Sequence, residues 1–413
     1  MQAKKNIIVS CDTFMTGGAE TFALRMARYY KEKGHHVYLF SVLGDRVDPE
    51  LVKENAGDIP MLTYKPSVFL NWFLYKVDGL LYRFGKFKTF RRQFTIRKCK
   101  KIIAENKIDV VHTNMFASLD IFNHALQENT GTISMHSVHG DILALAHAEL
   151  IGKKASLSAY DKFCIDQLLP VILSRVNFVV ATAEMHVKIF KTWGKFLPAK
   201  LQKIYNPVDR KQEENNGAFS RADLGIPESA FVFGSMARCI KEKGWGELIE
   251  AFVALNLPDA YLVLIGDGVY LKALQDKYGD NGKILFVGNQ PSPLKYLKLF
   301  DVAISPSYFW ESLPTAIIDY MSIGKPVICT DNAESKYMIQ SGDQYAGITV
   351  PLSKDEWDVI VGDNPLRASD LAGAMNEMYR NPEARAVYSE NGLLCFKKFD
   401  KDHIVTQYAA LFN

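Results

Sequence analysis

The chain has 413 residues, 48% of them hydrophobic and 23% charged, with a formal net charge of +3. That length exceeds one typical hydrophobic core, so two domains are expected, and the composition excludes a disordered or fibrous chain. No apolar run reaches the roughly 20 residues that span a bilayer, the opening residues read straight into a strand rather than a signal peptide, and six scattered cysteines lack metal or redox spacing and read as buried thiols in a reducing compartment.

The first apolar strand is Asn6–Cys11, followed by a loop over Asp12–Glu20, a helix over Thr21–Lys33 that stops at Gly34, and a second strand over His36–Val42. This βαβ start places Gly17 and Gly18 in the turn at the carboxyl end of strand one, where open α/β sheets bind ligands. Without Cβ atoms, these glycines let the backbone approach a phosphate or an acceptor closely. The spacing is not G-x-G-x-x-G, which argues against a dinucleotide site.

Residues 60–101 carry eleven basic side chains against one acid, Asp78, so the rest of the chain is net acidic. Aromatic residues are interleaved with the charges: Phe69, Trp72, Phe73, Tyr75, Tyr82, Phe84, Phe87, Phe90 and Phe94. Aromatic and basic residues on a helical pattern suit a membrane interface carrying anionic lipid. The plainer alternative is a domain helix with core aromatics and solvated lysines. Nucleic acid is not expected as a partner.

Ile108–His112 reads as a strand, and 131–141 as another that ends in the loop carrying His136 and His139. Residues 142–175 read as helix and Asn177–Ala183 as a strand. Residues 210–222, RKQEENNGAFSRA, read as a polar linker.

A second domain opens with the strand over 230–236 and the loop holding Ala237, Arg238 and Lys243, ahead of a helix over Gly246–Leu255. A guanidinium binds phosphate oxygens in pairs and an ammonium adds a point charge, so two cations beside a helix start suit a diphosphate. Strands follow at Tyr261–Ile265 and Lys283–Gly288. The stretch 301–331 then reads strand, loop, helix, strand. Its helix begins near Ser312-Leu313-Pro314, with Ser312 as N-cap, and stops at Gly324. The free N–H groups of Leu313, Thr315 and Ala316 form an anion site between two acids, Glu311 and Asp319. Carboxylates flanking a diphosphate can accept hydroxyl hydrogen bonds on either side of it, which is the layout of a nucleotide-diphosphate sugar. A short strand at Val350–Leu352 and helices over Arg367–Arg380, Pro382–Lys397 and Asp402–Phe412 complete the chain.

ESLPTAIIDYMSIGKPVICTD, over 311–331, resembles the acid-x7-acid block of the retaining glycosyltransferase family 4, with Asp319 where Glu is usual. The GGAE run at Gly17, the Arg238…Lys243-Gly244 segment (with Ala237 for the usual Gly), the IYNPVD run at 204–209 and His139-Gly140 resemble further family segments. The resemblance implies the α/β GT-B fold: two Rossmann-like domains facing across a cleft, 1–205 for the acceptor, completed by a C-terminal helix over 400–413, and 206–399 for the donor. It implies a retaining transfer of a hexose-type sugar from a UDP- or GDP-sugar to a glycan or lipid-linked acceptor, as in bacterial surface polysaccharide synthesis. In it His139 lies beside the donor sugar, with His136 as the competing assignment. Glu311 holds sugar hydroxyls, Asp319 the ribose, and Arg238 and Lys243 the departing diphosphate. The nucleotide base bonds to backbone near strand ends such as Gly288. No cofactor or metal is expected, since protein cations replace a metal-holding Asp-x-Asp motif. A cytoplasmic location, at the inner face of the membrane, follows. A GT-B isomerase or phosphorylase and a non-catalytic sugar-nucleotide-binding protein are the rival readings.

Overall fold

The computed structural model describes every residue except 1–2, 16, 45, 63–67, 128–130, 196–199, 209–218, 291–292, 309–312, 333, 355–359, 363 and 413, and of 68, 70, 71 and 141 it describes the backbone alone. Two compact units divide the chain: Met1–Asn206 with Ile404–Asn413, and Pro207–His403.

The first unit holds six parallel strands: β1 (Asn6–Cys11), β2 (His36–Ser41), β3 (Val110–Asn114), β4 (Ile133–Ser137), β5 (Phe178–Ala181) and β6 (Leu201–Lys203). Their order across the sheet is β2-β1-β3-β4-β5-β6. The second unit holds β7 (Phe231–Met236), β8 (Ala260–Ile265), β9 (Ile284–Gly288), β10 (Val302–Ser305), β11 (Val327–Thr330) and β12 (Gly347–Val350), also parallel. Their order is β12-β11-β10-β7-β8-β9. Parallel strands must be covered on both faces, so their sequences are unbroken apolar runs. Ile7-Ile8-Val9 and Leu262-Val263-Leu264 are wholly buried. Two α/β units with parallel sheets are what the sequence led us to expect.

Local chemistry moved several boundaries. The first helix is Gly18–Glu32, three residues earlier than expected, because Gly17 takes the N-cap place and its carbonyl accepts the Thr21 N–H at 3.0 Å. Residues 142–175 are not one helix. Asp141–Leu150 ends before Gly152, which sits at φ +72°, and the chain resumes as helix at Ala159. That second piece carries a π turn over Cys164–Leu168, just before Pro170, which has no N–H to continue the ordinary ladder. The strand expected at 350–352 is Gly347–Val350 instead, ended by Pro351. Of the stretch read as a linker, residues 210–218 lie outside the described residues, and Arg221–Leu224 forms a single 3-10 turn capped by Ser220.

The basic-aromatic stretch folds as two helices, Val68–Arg83 and Phe90–Glu105. The second inserts Ile96, Cys99, Ile102 and Ile103 into the core beside Ile8, Phe40 and Phe122. The first turns in Leu74 and Asp78 and leaves its aromatics outside: Phe69 is 74% exposed, Trp72 57% and Tyr75 64%. Core packing therefore does not account for them. Tyr82, in the last turn, is the exception, packed against Phe87 and Tyr160.

The segment's one acid has a structural use. Asp78 accepts the N–H groups of Phe90 at 2.9 Å and Arg91 at 3.2 Å, capping the second helix from the first. Replacing it should cost about 1–2 kcal/mol, as for other caps. Urea denaturation of Asp78→Ala is expected to show this loss, and an unchanged midpoint would mean that the cap carries no stability.

Candidate active site

A cavity of ≈ 630 Å³ opens at the carboxyl edge of the second sheet. Its wall gathers Met236, Arg238 and Lys243 after β7, Gly266 and Asp267 after β8, Asn289 and Gln290 after β9, Pro306 and Ser307 after β10, and Thr315 and Ala316. The strand order reverses at β7, which has β8 on one side and β10 on the other. Loops leaving β7 and β10 therefore diverge, and the crevice between them is where open α/β sheets bind ligands.

Close backbone approaches shape this wall. Gly244 sits at φ +73°, and a Cβ there would lie 2.1 Å from the Pro306 carbonyl oxygen. Only glycine lets the Lys243 loop press against the end of β10 in this way. The Tyr308 N–H donates to the Glu242 carbonyl at 2.9 Å, and the Ser307 carbonyl accepts from Asn332 Nδ2 at 3.3 Å and from Thr330 Oγ1. The Met236 N–H donates to the buried Tyr320 hydroxyl at 2.7 Å, tying the end of β7 to the helix that follows β10.

That helix is Thr315–Ser322, with Pro314 at its N-cap and no side-chain cap. The expected start at Ser312–Pro314, with Ser312 as the cap, is thus corrected: Pro314 is extended, and the helix begins after it. The Ile317 N–H bonds the Pro314 carbonyl at 3.1 Å, while the amides of Thr315 and Ala316 are first-turn groups that no intrahelical carbonyl can reach. Both residues line the cavity with Arg238, which is exposed, and Lys243, whose side chain is buried in the wall. Leu313 and Gly288 do not line it, although Asn289 and Gln290 beside Gly288 do. Asp319 lies one turn along the helix, about 6 Å beyond Thr315 by the helical rise. Glu311 and Ser312 lie outside the described residues.

Family models match both units: "Glycosyltransferase Family 4" over residues 16–212 and "Glycosyl transferases group 1" over residues 217–394. The chain belongs to glycosyltransferase family 4. An uncharacterized glycosyltransferase of Methanocaldococcus jannaschii is 26% identical over 353 residues, 79% of this chain and 84% of that one. A UDP-Gal:alpha-D-GlcNAc-diphosphoundecaprenol alpha-1,3-galactosyltransferase of Escherichia coli is 24% identical over 315 residues, 73% of this chain and 76% of that one. The crystal structure of Anabaena HepE in complex with UDP matches with a TM-score of 0.71 at 18% identity, over 98% of both chains. The fold is that of the GT-B glycosyltransferases.

In the first unit of this family 4 chain, the expected residues again lie at the carboxyl edge of the sheet. Gly17 and Gly18 open the helix that follows β1, and a Cβ on Gly18 would have nothing within 4 Å. His139 stands two residues past β4, with Nε2 2.9 Å from Asn114 Oδ1 and its ring 4.9 Å from that of Phe22. His136 lies inside β4, wholly buried, with Nδ1 3.0 Å from Thr113 Oγ1, so the competing assignment cannot reach a ligand. His112 is also internal, between Tyr30 at 3.2 Å and Ser137 at 2.8 Å, and Ser137 meets Tyr408 of the C-terminal helix at 3.0 Å. Asn289 and Gln290 were open to sequence reasoning, since they directly follow a strand-ending glycine. Asn114 was legible as part of a strand end that points at the ligand edge, though without a role, and Tyr320 carried no sequence signal.

Burial holds these rings neutral. His112 and His136 are pushed down to about 3, and His139 and His186, the latter buried in the helix Glu184–Trp193 after β5, to about 4. In the unfolded chain they titrate near 6.5. Below that value the unfolded state binds protons that the fold does not, so stability falls as pH falls, by about 1.4 kcal/mol per pH unit for each ring until it protonates in the fold. Thermal unfolding between pH 7 and pH 5 should show a steadily falling midpoint. A flat profile would mean that the rings are already charged in the fold.

Proposed function

We propose that this glycosyltransferase moves a hexose-type sugar, with retention, from a UDP- or GDP-sugar to a glycan or lipid-linked acceptor of surface polysaccharide synthesis. One observation carries the donor half of this reading: Arg238, Lys243 and the first-turn amides of Thr315 and Ala316 meet at one cavity. A departing diphosphate develops negative charge, and fixed cations with helix-start amides stabilise it without reorganising. Bound to these groups, it needs no resident metal. Asn289 and Gln290 line the same cavity, where the base or ribose would lie. Asp319 and Glu311 take the ribose and sugar hydroxyls, and His139 the face of the sugar near the reacting carbon. The leaving phosphate oxygen would accept the acceptor's proton as the acceptor attacks from the same face.

The galactosyltransferase relative acts on a diphosphoundecaprenol acceptor, a lipopolysaccharide core glycosyltransferase of Rhizobium meliloti is 33% identical over 158 residues, and HepE has been crystallised with UDP-glucose. These relatives support the substrate classes.

The donor reading is tested by Arg238→Ala and Lys243→Ala. Each removes a charge-assisted contact worth about 1.5–3 kcal/mol, so kcat/KM for the sugar donor should fall roughly 10- to 100-fold. Normal turnover in both variants would overturn it.

The acceptor half is supported by the helix Val68–Arg83. Leu74 and Asp78 face inward, and the outer arc combines Phe69, Trp72 and Phe73 with Lys76 and Arg83. Aromatic rings at that depth and cations at head-group level suit an anionic membrane surface, the inner face of the cytoplasmic membrane in this reading. No helix among the described residues is long and apolar enough to cross a membrane. Vesicle flotation is expected to recover the protein with anionic lipid, and Lys76→Glu with Arg83→Glu to lower recovery about fivefold or more per charge. Equal recovery with neutral and anionic vesicles would remove the membrane surface from the proposal.

A further inference from the structure

Asn114 ends β3 and is wholly buried. Its amide nitrogen donates to the Ser10 carbonyl of β1 at 3.2 Å, and its Oδ1 lies 2.9 Å from His139 Nε2. A backbone carbonyl can only accept, so the NH₂ group must face Ser10 and the oxygen must face His139. That oxygen can only accept in turn, so His139 Nε2 must carry a hydrogen. A neutral imidazole has one N–H, which leaves Nδ1 as a bare acceptor. Burial and the nearby His186 hold the ring at about 4, well below its ordinary value, so it is neutral at physiological pH. The Phe22 ring, tilted 60° to it at 4.9 Å, resists a flip of the imidazole.

The neighbouring histidines are spent differently. His112 has both ring nitrogens engaged, by Tyr30 and Ser137, and His136 is sealed inside the sheet. His139 is partly exposed, and among the described residues nothing bonds its Nδ1.

We propose that Asn114 is a positioning residue that locks His139 in the Nε2–H tautomer, so that the ring offers the transferring sugar a hydrogen-bond acceptor and neither a donor nor a proton. This rests on the reading that His139 lies beside the sugar. A sugar hydroxyl donates to Nδ1, and its oxygen gains electron density. Protonation of the leaving oxygen is not a task of His139, and stabilisation of the departing diphosphate falls to Arg238 and Lys243.

Long-range ¹H–¹⁵N correlation spectra of [¹⁵N]histidine-labelled protein test the lock, with His139 assigned by its loss in His139→Gln. At pH 7 the wild-type ring is expected to be protonated at Nε2 and bare at Nδ1. In Asn114→Leu, of similar size, the ring should exchange between tautomers. The same variant should lose about tenfold in kcat/KM for the sugar donor, the worth of one hydrogen bond, while its affinity for free nucleoside diphosphate stays at the wild-type value. A wild-type ring protonated at Nδ1, or at both nitrogens, overturns the lock, and this measurement needs no variant to fold. A locked ring with unchanged donor kcat/KM in Asn114→Leu overturns its service to the sugar. Arg238→Ala reports separately on the diphosphate pocket, so a failure here is distinguishable from a failure of the donor reading.

Discussion

The contact between Gly244 and the Pro306 carbonyl joins two of the loops that wall the second unit's cavity, and the placing of its cations depends on it. A methyl group at Gly244 would sit 2.1 Å from that oxygen, and the backbone there holds a φ that L side chains avoid. Because the approach is so close, the loop bearing Lys243 and the loop leaving β10 form one wall. The Tyr308–Glu242 backbone bond and the Met236–Tyr320 bond repeat the join on either side. Cations from one end of the unit's sequence are thereby held beside helix amides from another. In the proposed donor site, stabilisation of the leaving group depends on charges fixed before reaction, and a wall built from backbone contacts would supply that fixity.

The first unit relies on a different device, a chain of buried polar side chains. Tyr30, His112, Ser137 and Tyr408 are linked by hydrogen bonds with every member buried. The chain joins the first helix, two central strands and the C-terminal helix, which returns to this unit after the second has been completed. Such a network is costly if one member is lost, because the partner is left unpaired in a low-dielectric core. Of the histidines near it, His112 belongs to the network and His136 bonds Thr113, while His139 keeps a partly exposed face. The buried ones are structural hydrogen-bonders.

The helix Val68–Arg83 stands apart from both devices. Its neighbour, Phe90–Glu105, carries six basic residues to this helix's two, yet it is the one that sends Ile96, Cys99, Ile102 and Ile103 into the core. Charge therefore does not say which of the two is buried. What separates them is that the second helix packs on the sheet while the first packs on the second, which leaves a set of large aromatics in the open. In the proposed function these aromatics are the part that meets an anionic membrane surface.

Much of this was legible in the sequence because it depends on local pattern. Apolar runs bounded by Gly, Pro and Ser located the strands, and alternation of strand and helix implied parallel sheets. The residues that line the cavity, Arg238, Lys243 and Thr315, follow strand ends and were legible for that reason. Helix starts were less so: Pro314 displaced the expected Ser312 cap, and Gly17 brought a helix forward, because capping depends on backbone angles that the residue types alone do not set. The sequence by itself determined the α/β class, the strand ends where chemistry is placed, and the family. Only the tertiary structure decided that His139 and not His136 keeps an open face, that Asn114 and Tyr320 support the site, and that the aromatics of 68–83 lie outside the core. Each of these depends on contacts between residues far apart in the chain, whose partners no local pattern can name.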